Sequence, residues 1–168
     1  MEVRPARPDE YDAIGDLIIE AYRDLRGGAS LGDYENELSA VGDRAVDCTV
    51  LVADDDGGML GTVTYVPGPD TALSEFADRA AAGIRMLAVH PRHQGNGVGK
   101  ALTQACIDLA RSDGWARIIL HSTDMMRVAR AMYERSGFEP APDLDILITE
   151  PPHSIEAPLR LIAYVLTL

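Results

Sequence analysis

The stretch IRMLAVHPRHQGNGVGKALTQACIDLARSDG, Ile84 to Gly114, constrains the fold of this chain more than any other. The largely apolar IRMLAVH reads as a buried strand, and Pro91 stops it. Glycines follow at positions 95, 97 and 99. From about Gly97 to Asp113 an amphipathic pattern places Val98, Ala101, Leu102, Ala105 and Leu109 on one helical face, with Gly114 as the C-terminal stop. Glycines at such a junction let a ligand reach the main chain, because no Cβ intrudes and the first N–H groups of a helix lack intrahelical acceptors. With the positive end of the helix dipole beside them, those donors form an anion site.

The elements around this unit alternate. Residues 2–6 suit a short strand, and RPDEYDAIGDLIIEAYRDL carries Tyr11, Ile14, Leu17, Ile18, Ala21, Tyr22 and Leu25 on one helical stripe. GGAS breaks that helix, and LGDYENELSAVGD suits a shorter one. CTVLVAD and MLGTVTYV, joined by the turn residues DDGG, read as an antiparallel hairpin. PGPDTALSEFADRAAAG reads as a loop with some helical content, ARIILHS as another buried strand, and DMMRVARAMYERSG as a helix bearing Met126, Ala129, Met132 and Tyr133 on a common side and ending at Gly137. In the tail, FEPAPDLDILITE and RLIAYVLTL are strand candidates that pair across a proline-containing turn. The last strand fits its own sheet or an edge shared by a homodimer. The pattern is mixed α/β.

At 168 residues the chain suits one domain with a single core. Fifteen basic against twenty-seven acidic residues give a formal charge of −12, which argues against nucleic acid as a partner and favours a cationic substrate. No run approaches the ~20 apolar residues of a membrane helix, and the N-terminus lacks a basic segment followed by an apolar one. Cys48 and Cys106 lie in apolar stretches and read as buried thiols. Together these features point to a cytoplasmic protein that does not bind membranes.

Three phosphate-binding patterns compete for the glycines. A nucleoside-triphosphate loop closing at Gly99 and Lys100 requires glycine where Gln94 stands and a hydroxyl where Ala101 stands. A dinucleotide loop fits Gly95 and Gly97 but requires its third glycine at Lys100, and no acidic residue lies around Trp115 to Leu120 to hold a ribose. The pattern [QR]-x-x-G-x-[GA] is matched in full by Gln94, Gly97 and Gly99. With ARAMYERSGF after the next strand, the sequence here resembles the GNAT superfamily, whose members move an acyl group from acyl-coenzyme A to an amine. The likeness is strong from Ile84 to Phe138 and weaker over the first helix and the hairpin.

The resemblance implies an α/β, single-domain GNAT fold over residues 1–168: a mixed twisted sheet splayed near Ala88, at the coenzyme strand, with helices on both faces. It implies acetyl-CoA as co-substrate, with the pyrophosphate on the backbone amides of Gln94, Gly95, Asn96, Gly97, Val98, Gly99 and Lys100. It pairs the pantetheine arm with Leu87, Ala88 and Val89 like an added strand. Met126, Ala129 and Tyr133 would stand beside the coenzyme, with Tyr133 in the position of the family's tyrosine acid. Lys100, Arg92 and His93 are either solvated or placed against coenzyme phosphates. His90 and His93 lie too near a turn, and have too few partners, for a metal site, and no metal is expected.

Transfer to an amine needs two proton movements. An alkylammonium with a pKa of ~10.4 costs about 4.6 kcal/mol to deprotonate at pH 7, so a base is useful. The departing thiolate in turn needs an acid. The sequence departs from the family at both ends of the site: Gly83 stands where many relatives carry a glutamate, and Met126 where many carry an asparagine. Glu75, His121 and Asp124 are the replacement bases, with Glu75 taken here as the catalytic partner of Tyr133. The rival reading is a non-catalytic acyl-CoA-binding sensor or interaction module that keeps the loop and lacks the base.

Overall fold

The turn residues Asp55 to Gly58 do fold CTVLVAD and MLGTVTYV into a hairpin, and the sheet is built around it. In the computed structural model, which describes residues 1–150 and 158–168, the chain runs β1 (Glu2–Pro5), a 3-10 turn at Pro8–Glu10, α1 (Tyr11–Leu25), α2 (Tyr34–Ser39), α3 (Val41–Arg44), β2 (Thr49–Asp55) and β3 (Gly58–Val66). It continues through β4 (Ala81–Val89), α4 (Val98–Ser112), β5 (Arg117–Ser122), α5 (Arg127–Arg135), β6 (Glu139–Pro140), β7 (Ile146–Ile148) and β8 (Leu159–Thr167). The strand order is β1-β2-β3-β4-β5-β8-β6, with β7 also paired to β8. The β4–β5 pair is parallel, and the other pairs are antiparallel.

Two apolar layers sandwich the sheet. On one face Ile14, Leu17 and Ile18 of α1, with Leu38 and Val41, cover Val50, Val52, Met86 and Ala88. On the other, Val98, Leu102 and Cys106 of α4 and Tyr133 of α5 cover Leu51, Val63, Ile84 and Leu120. Each Leu or Ile fully buried in these layers contributes roughly 1.5–3 kcal/mol. Cys48 and Cys106 are both buried free thiols, and burial pushes both pKa values up. No helix among the described residues is long and apolar enough to cross a membrane.

Several boundaries differ from the sequence reading. β4 begins at Ala81, three residues before Ile84, because Ala81 to Ile84 pair in register with Arg117 to Leu120. Small residues without β-branching give little strand signal, and the partner strand supplies what they lack. The loop before β4 contains no helix, and its two prolines flank Gly68 at φ +116°. The buried stripe of α4 is rotated: Thr103, Cys106, Ile107 and Ala110 are buried, whereas Ala101, Ala105 and Leu109 are half-buried. On α1, Leu25 is exposed. The helix read from Asp124 starts at Arg127, so Met126 is its N-cap, and only Tyr133 of its apolar side is buried. β8 lies inside its own sheet, between β5 and the short β6 and β7. The proline-containing turn before it includes 151–157, outside the described residues.

Candidate functional site

β4 and β5 share only four register pairs and then part beyond Ile84 and Leu120. The parting thus begins four residues ahead of Ala88. Its cause lies in β4, where Met86 and Leu87 together oppose Val63 alone and Met86 takes φ +52°. This bulge sharpens the twist and turns the end of β4 away from β5. A left-handed residue other than glycine costs roughly 1–2 kcal/mol, so the surrounding packing holds Met86 there.

The parted end of β4 offers unpaired backbone. His90 donates its N–H to Leu60 O at 2.9 Å. Alternation along the strand therefore turns the polar groups of Ala88 toward β3 and those of Leu87 and Val89 toward the cleft. Of the three residues expected to pair with a pantetheine arm, Leu87 and Val89 have the orientation for it and Ala88 does not. Gly61 on β3 makes this close packing possible, since a Cβ there would stand 2.8 Å from Ala88 O.

The glycine loop closes the same end of the cleft. Gly95 and Gly97 have φ +80° and +81°, and a Cβ on either would meet nothing within 4 Å, so glycine is required there for conformation. Gly99 serves differently: its Cβ position lies 3.3 Å from Met132 Sδ and 3.6 Å from Val89 Cγ2, at the contact of α4 with α5 and β4. The first helical bond of α4 runs from Ala101 N–H to Gly97 O at 3.0 Å. The N–H groups of Val98, Gly99 and Lys100 therefore have no helical acceptor. Gln94, Asn96 and Lys100 are exposed.

Tyr133 is 6% exposed, edge-on to Phe138 with ring centroids 5.8 Å apart and 6.3 Å from the ring of Tyr164. Burial raises its pKa above the usual phenol value. Tyr164 behind it is tied down, accepting from Arg130 Nε at 2.9 Å and donating to Glu134 at 3.0 Å. Met126 and Ala129, expected beside the coenzyme, are half-buried on the same segment.

The candidate bases divide. Glu75 bridges both walls of the cleft, 3.0 Å from Arg85 Nη1 on β4 and 3.2 Å from His121 Nδ1 on β5. His121 Nε2 lies 3.0 Å from Leu144 O, so both ring nitrogens face acceptors. Burial opposes charge on His121, but the bonds to Glu75 and to the Leu144 carbonyl outweigh it and raise its pKa. Asp124 stands apart, exposed and paired with Arg130 at 3.3 Å. Gly83 is a buried strand residue, and a Cβ there would lie 2.7 Å from Phe76 Cε1 and 3.3 Å from Val66 Cβ. The ring of Phe76 thus fills the space that a side chain at position 83 would need.

Sequence reasoning missed other residues near the cleft. Ser122 and Thr123, at the end of β5, carry buried hydroxyls without a partner among the described residues, and the HST run that ends the strand is the available signal. Tyr22 and Tyr34 have pKa values raised by burial and opposed by the nearby Arg85. No group of His, Cys, Asp or Glu among the described residues is arranged to hold a metal ion.

Residues 11–138, from the start of α1 through Phe138, match the family model of the GNAT acetyltransferases. The chain belongs to that family. Its structure superposes on a ribosomal-protein-alanine N-acetyltransferase from Brucella melitensis with a TM-score of 0.73, over 100% of both chains at 21% identity, a likeness of fold. A GNAT family acetyltransferase from the same organism, in complex with acetyl-CoA, superposes with a TM-score of 0.62 over 82% of each chain at 25% identity. Among curated proteins, a mycothiol acetyltransferase from Beutenbergia cavernae is 39% identical over 90 residues, which are 54% of this chain and 28% of that one. The probable N-acetyltransferase family 8 member 5 of Mus musculus is 31% identical over 88 residues, 52% of this chain and 37% of the relative. The chain thus spans about a third of the length of the curated relatives it matches. The GNAT fold accounts for the single parallel pair, its parting and the loop at the head of α4.

Proposed function

We propose that this chain transfers an acetyl group from acetyl-CoA to a primary amine by direct attack in a ternary complex. The observation that carries the reading is the junction itself: outward N–H groups at the head of α4, next to the unpaired edge of Leu87 and Val89. That pairing suits a ligand with a pyrophosphate at one end and an amide-bearing arm at the other. It supports acetyl-CoA, the ligand of the Brucella melitensis relative.

The roles follow from position. Helix-dipole and backbone donors hold the pyrophosphate. Leu87 and Val89 hold the arm as an added strand. Glu75, the carboxylate that touches both walls, takes a proton from the acceptor ammonium. The free amine attacks the thioester carbon, a C–N bond forms, and the C–S bond breaks as the tetrahedral intermediate collapses. The nitrogen gives up one proton and the sulfur gains one, so amide and free thiol are the products. Tyr133 stays a phenol throughout the physiological range and donates to the sulfur as negative charge develops there. The two buried free thiols fit a reducing, cytoplasmic setting.

The sensor reading is favoured by one observation, the filling of the Gly83 position by Phe76. Release of free thiol from acetyl-CoA across a panel of amines separates the two. If coenzyme binds and no amine raises thiol release above the blank, the transferase reading fails.

A further inference from the structure

Arg85 and His121 are the first residues past Ile84 and Leu120, the last register pair of β4 and β5, so they stand at the fork where the two strands part. Glu75 closes that fork, with Oε1 3.0 Å from Arg85 Nη1 and Oε2 3.2 Å from His121 Nδ1. The glutamate side chain is 20% exposed and the imidazole behind it 4%. The carboxylate is therefore open to an acceptor, and the ring is not. Leu87, the first of the two residues that turn their backbone toward the coenzyme, follows Arg85 by two positions, roughly 7 Å along the strand.

The other side of the ring fixes where its protons sit. His121 Nε2 lies 3.0 Å from Leu144 O, at the end of the 3-10 turn Pro142–Leu144. A carbonyl oxygen only accepts, so Nε2 carries a hydrogen in every charge state that keeps this bond. A neutral His121 then has its lone pair on Nδ1, aimed at Glu75. A bare carboxylate and a bare nitrogen 3.2 Å apart repel, and one proton between them removes the repulsion. The pair thus binds a proton as a unit, either as carboxylate and imidazolium or as carboxylic acid and neutral imidazole. The charged groups around it are tied down: Arg85 holds Oε1, and Asp145, next to the 3-10 turn, is bound by Ala163 N–H at 2.7 Å and Arg160 Nε at 2.9 Å on β8. Tyr34 of α2 lies near Arg85 and Glu75, with a phenol pKa raised by burial.

Resting on the transferase reading above, we infer that Glu75 and His121 form one base. The acceptor ammonium gives a proton to Glu75 Oε2, which passes it to His121 Nδ1, while the Leu144 carbonyl holds the ring in the receiving tautomer. Glu75 touches the substrate, and His121 acts through it as a positioning residue. An N–H bond of the ammonium breaks and an Nδ1–H bond forms. Glu75 ends the step as the carboxylate it was, now between two cations. Acylation then moves one further proton from nitrogen to sulfur, so each turnover releases one net proton, which the pair returns to water through Glu75. The base that position 83 does not supply thus comes from the loop before β4, strengthened by the ring behind it.

Kinetics and NMR on coenzyme-saturated protein test the pair. At saturating acetyl-CoA, kcat/KM for the amine should rise with pH through an apparent pKa that belongs to the pair. With isotope-labelled histidine rings and coenzyme A bound, one imidazole should keep its Nε2 proton from pH 5 to 9 and lose its Nδ1 proton within about half a unit of that kinetic pKa. That signal should be absent in His121→Asn, and in Glu75→Gln it should titrate at lower pH. Asparagine offers Glu75 an N–H where Nδ1 stood but cannot take the proton. In His121→Asn, kcat/KM should fall about ten-fold or more at pH 8 and the acid limb should move down toward an ordinary carboxylate, whereas a purely structural loss leaves the limb in place. If His121→Asn does not fold, the wild-type titration and Glu75→Gln decide. Thiol release with a limb that stays put in His121→Asn sinks this inference and leaves the transferase reading standing. So does an imidazole that protonates Nδ1 and leaves Nε2 bare, or one whose titration misses the kinetic limb. No thiol release from any amine, while coenzyme binds, overturns the transferase reading and the proton transfer with it, whatever the NMR shows.

Discussion

Gly97 and Gly114 sit at opposite ends of α4 with the same φ of +81°, and a Cβ on either meets nothing within 4 Å. Both are exposed. Replacing either by alanine therefore imposes the same penalty, the left-handed strain of roughly 1–2 kcal/mol, with no packing change added. For a chain of 168 residues that corresponds to a fall in Tm of roughly 2–8 °C in each variant. Their effect on coenzyme A should separate them. With the pyrophosphate at this loop as proposed, the new methyl group at Gly97 meets a phosphate at the head of the helix, and losing one charged hydrogen bond costs about 1.5–3 kcal/mol, or roughly 10- to 150-fold in Kd. At Gly114, fifteen helical residues away, coenzyme affinity should hold. Thermal melts and calorimetric titration of coenzyme A into both variants make the comparison. Equal melts with equal, unweakened Kd values would refute the placement of the pyrophosphate at this loop.

Tyr133→Phe removes the hydroxyl and keeps the ring that packs against Phe138 and Tyr164. Stability and coenzyme Kd should hardly move while kcat falls by about 10²-fold or more, and an unchanged kcat removes Tyr133 from the chemistry. Glu75→Gln keeps one acceptor oxygen but removes the charge and basicity of the carboxylate that lies 3.0 and 3.2 Å from Arg85 and His121. Turnover at pH 7 should drop while coenzyme A still binds, and full activity in this variant would exclude Glu75 as proton acceptor. His121, raised in the folded state, binds its proton more tightly there than in the unfolded chain. It therefore contributes stability below its ordinary pKa near 6.5, and that contribution is lost as pH rises through its folded value. Urea midpoints between pH 5 and 9 should decline less steeply in His121→Gln than in wild type. Gly83→Ala, with its methyl group 2.7 Å from the Phe76 ring, should cost about 1–3 kcal/mol unless Phe76 is shortened as well, which a Gly83→Ala, Phe76→Ala double variant tests.

The parts of this fold that sequence announces are those where one residue type meets a backbone demand. Gly95 and Gly97 mark left-handed turns, Gly114 and Gly137 mark helix ends, and the hairpin carries its turn in Asp55 to Gly58. Where the demand comes from a distant partner, the local signal is silent or wrong. Ala81 and Ala82 are strand because Arg117 and Ile118 lie beside them. Gly83, read from sequence as the place of a missing base, is also a position closed by a ring seven residues upstream. Arg44, in the polar run GDRAVD, carries no local mark of being buried, since its burial comes from α2 and from the loop before β4 packing around it.

This contrast also changes how the acidic charge bears on the acceptor. The formal charge of −12 is spread over exposed residues, where screening at physiological ionic strength confines each to about 8 Å, so it acts on encounter more than on selection. Selection belongs to charges fixed at short range beside the cleft. There the count differs: Arg85 and His121 share the one carboxylate of Glu75. The bulge at Met86 acts on the same region, since it parts β4 from β5 beside these groups. A substitution that disfavours the left-handed backbone of Met86, such as Met86→Val, should therefore weaken coenzyme A binding, and an unchanged Kd in calorimetric titration would detach the bulge from the coenzyme cleft.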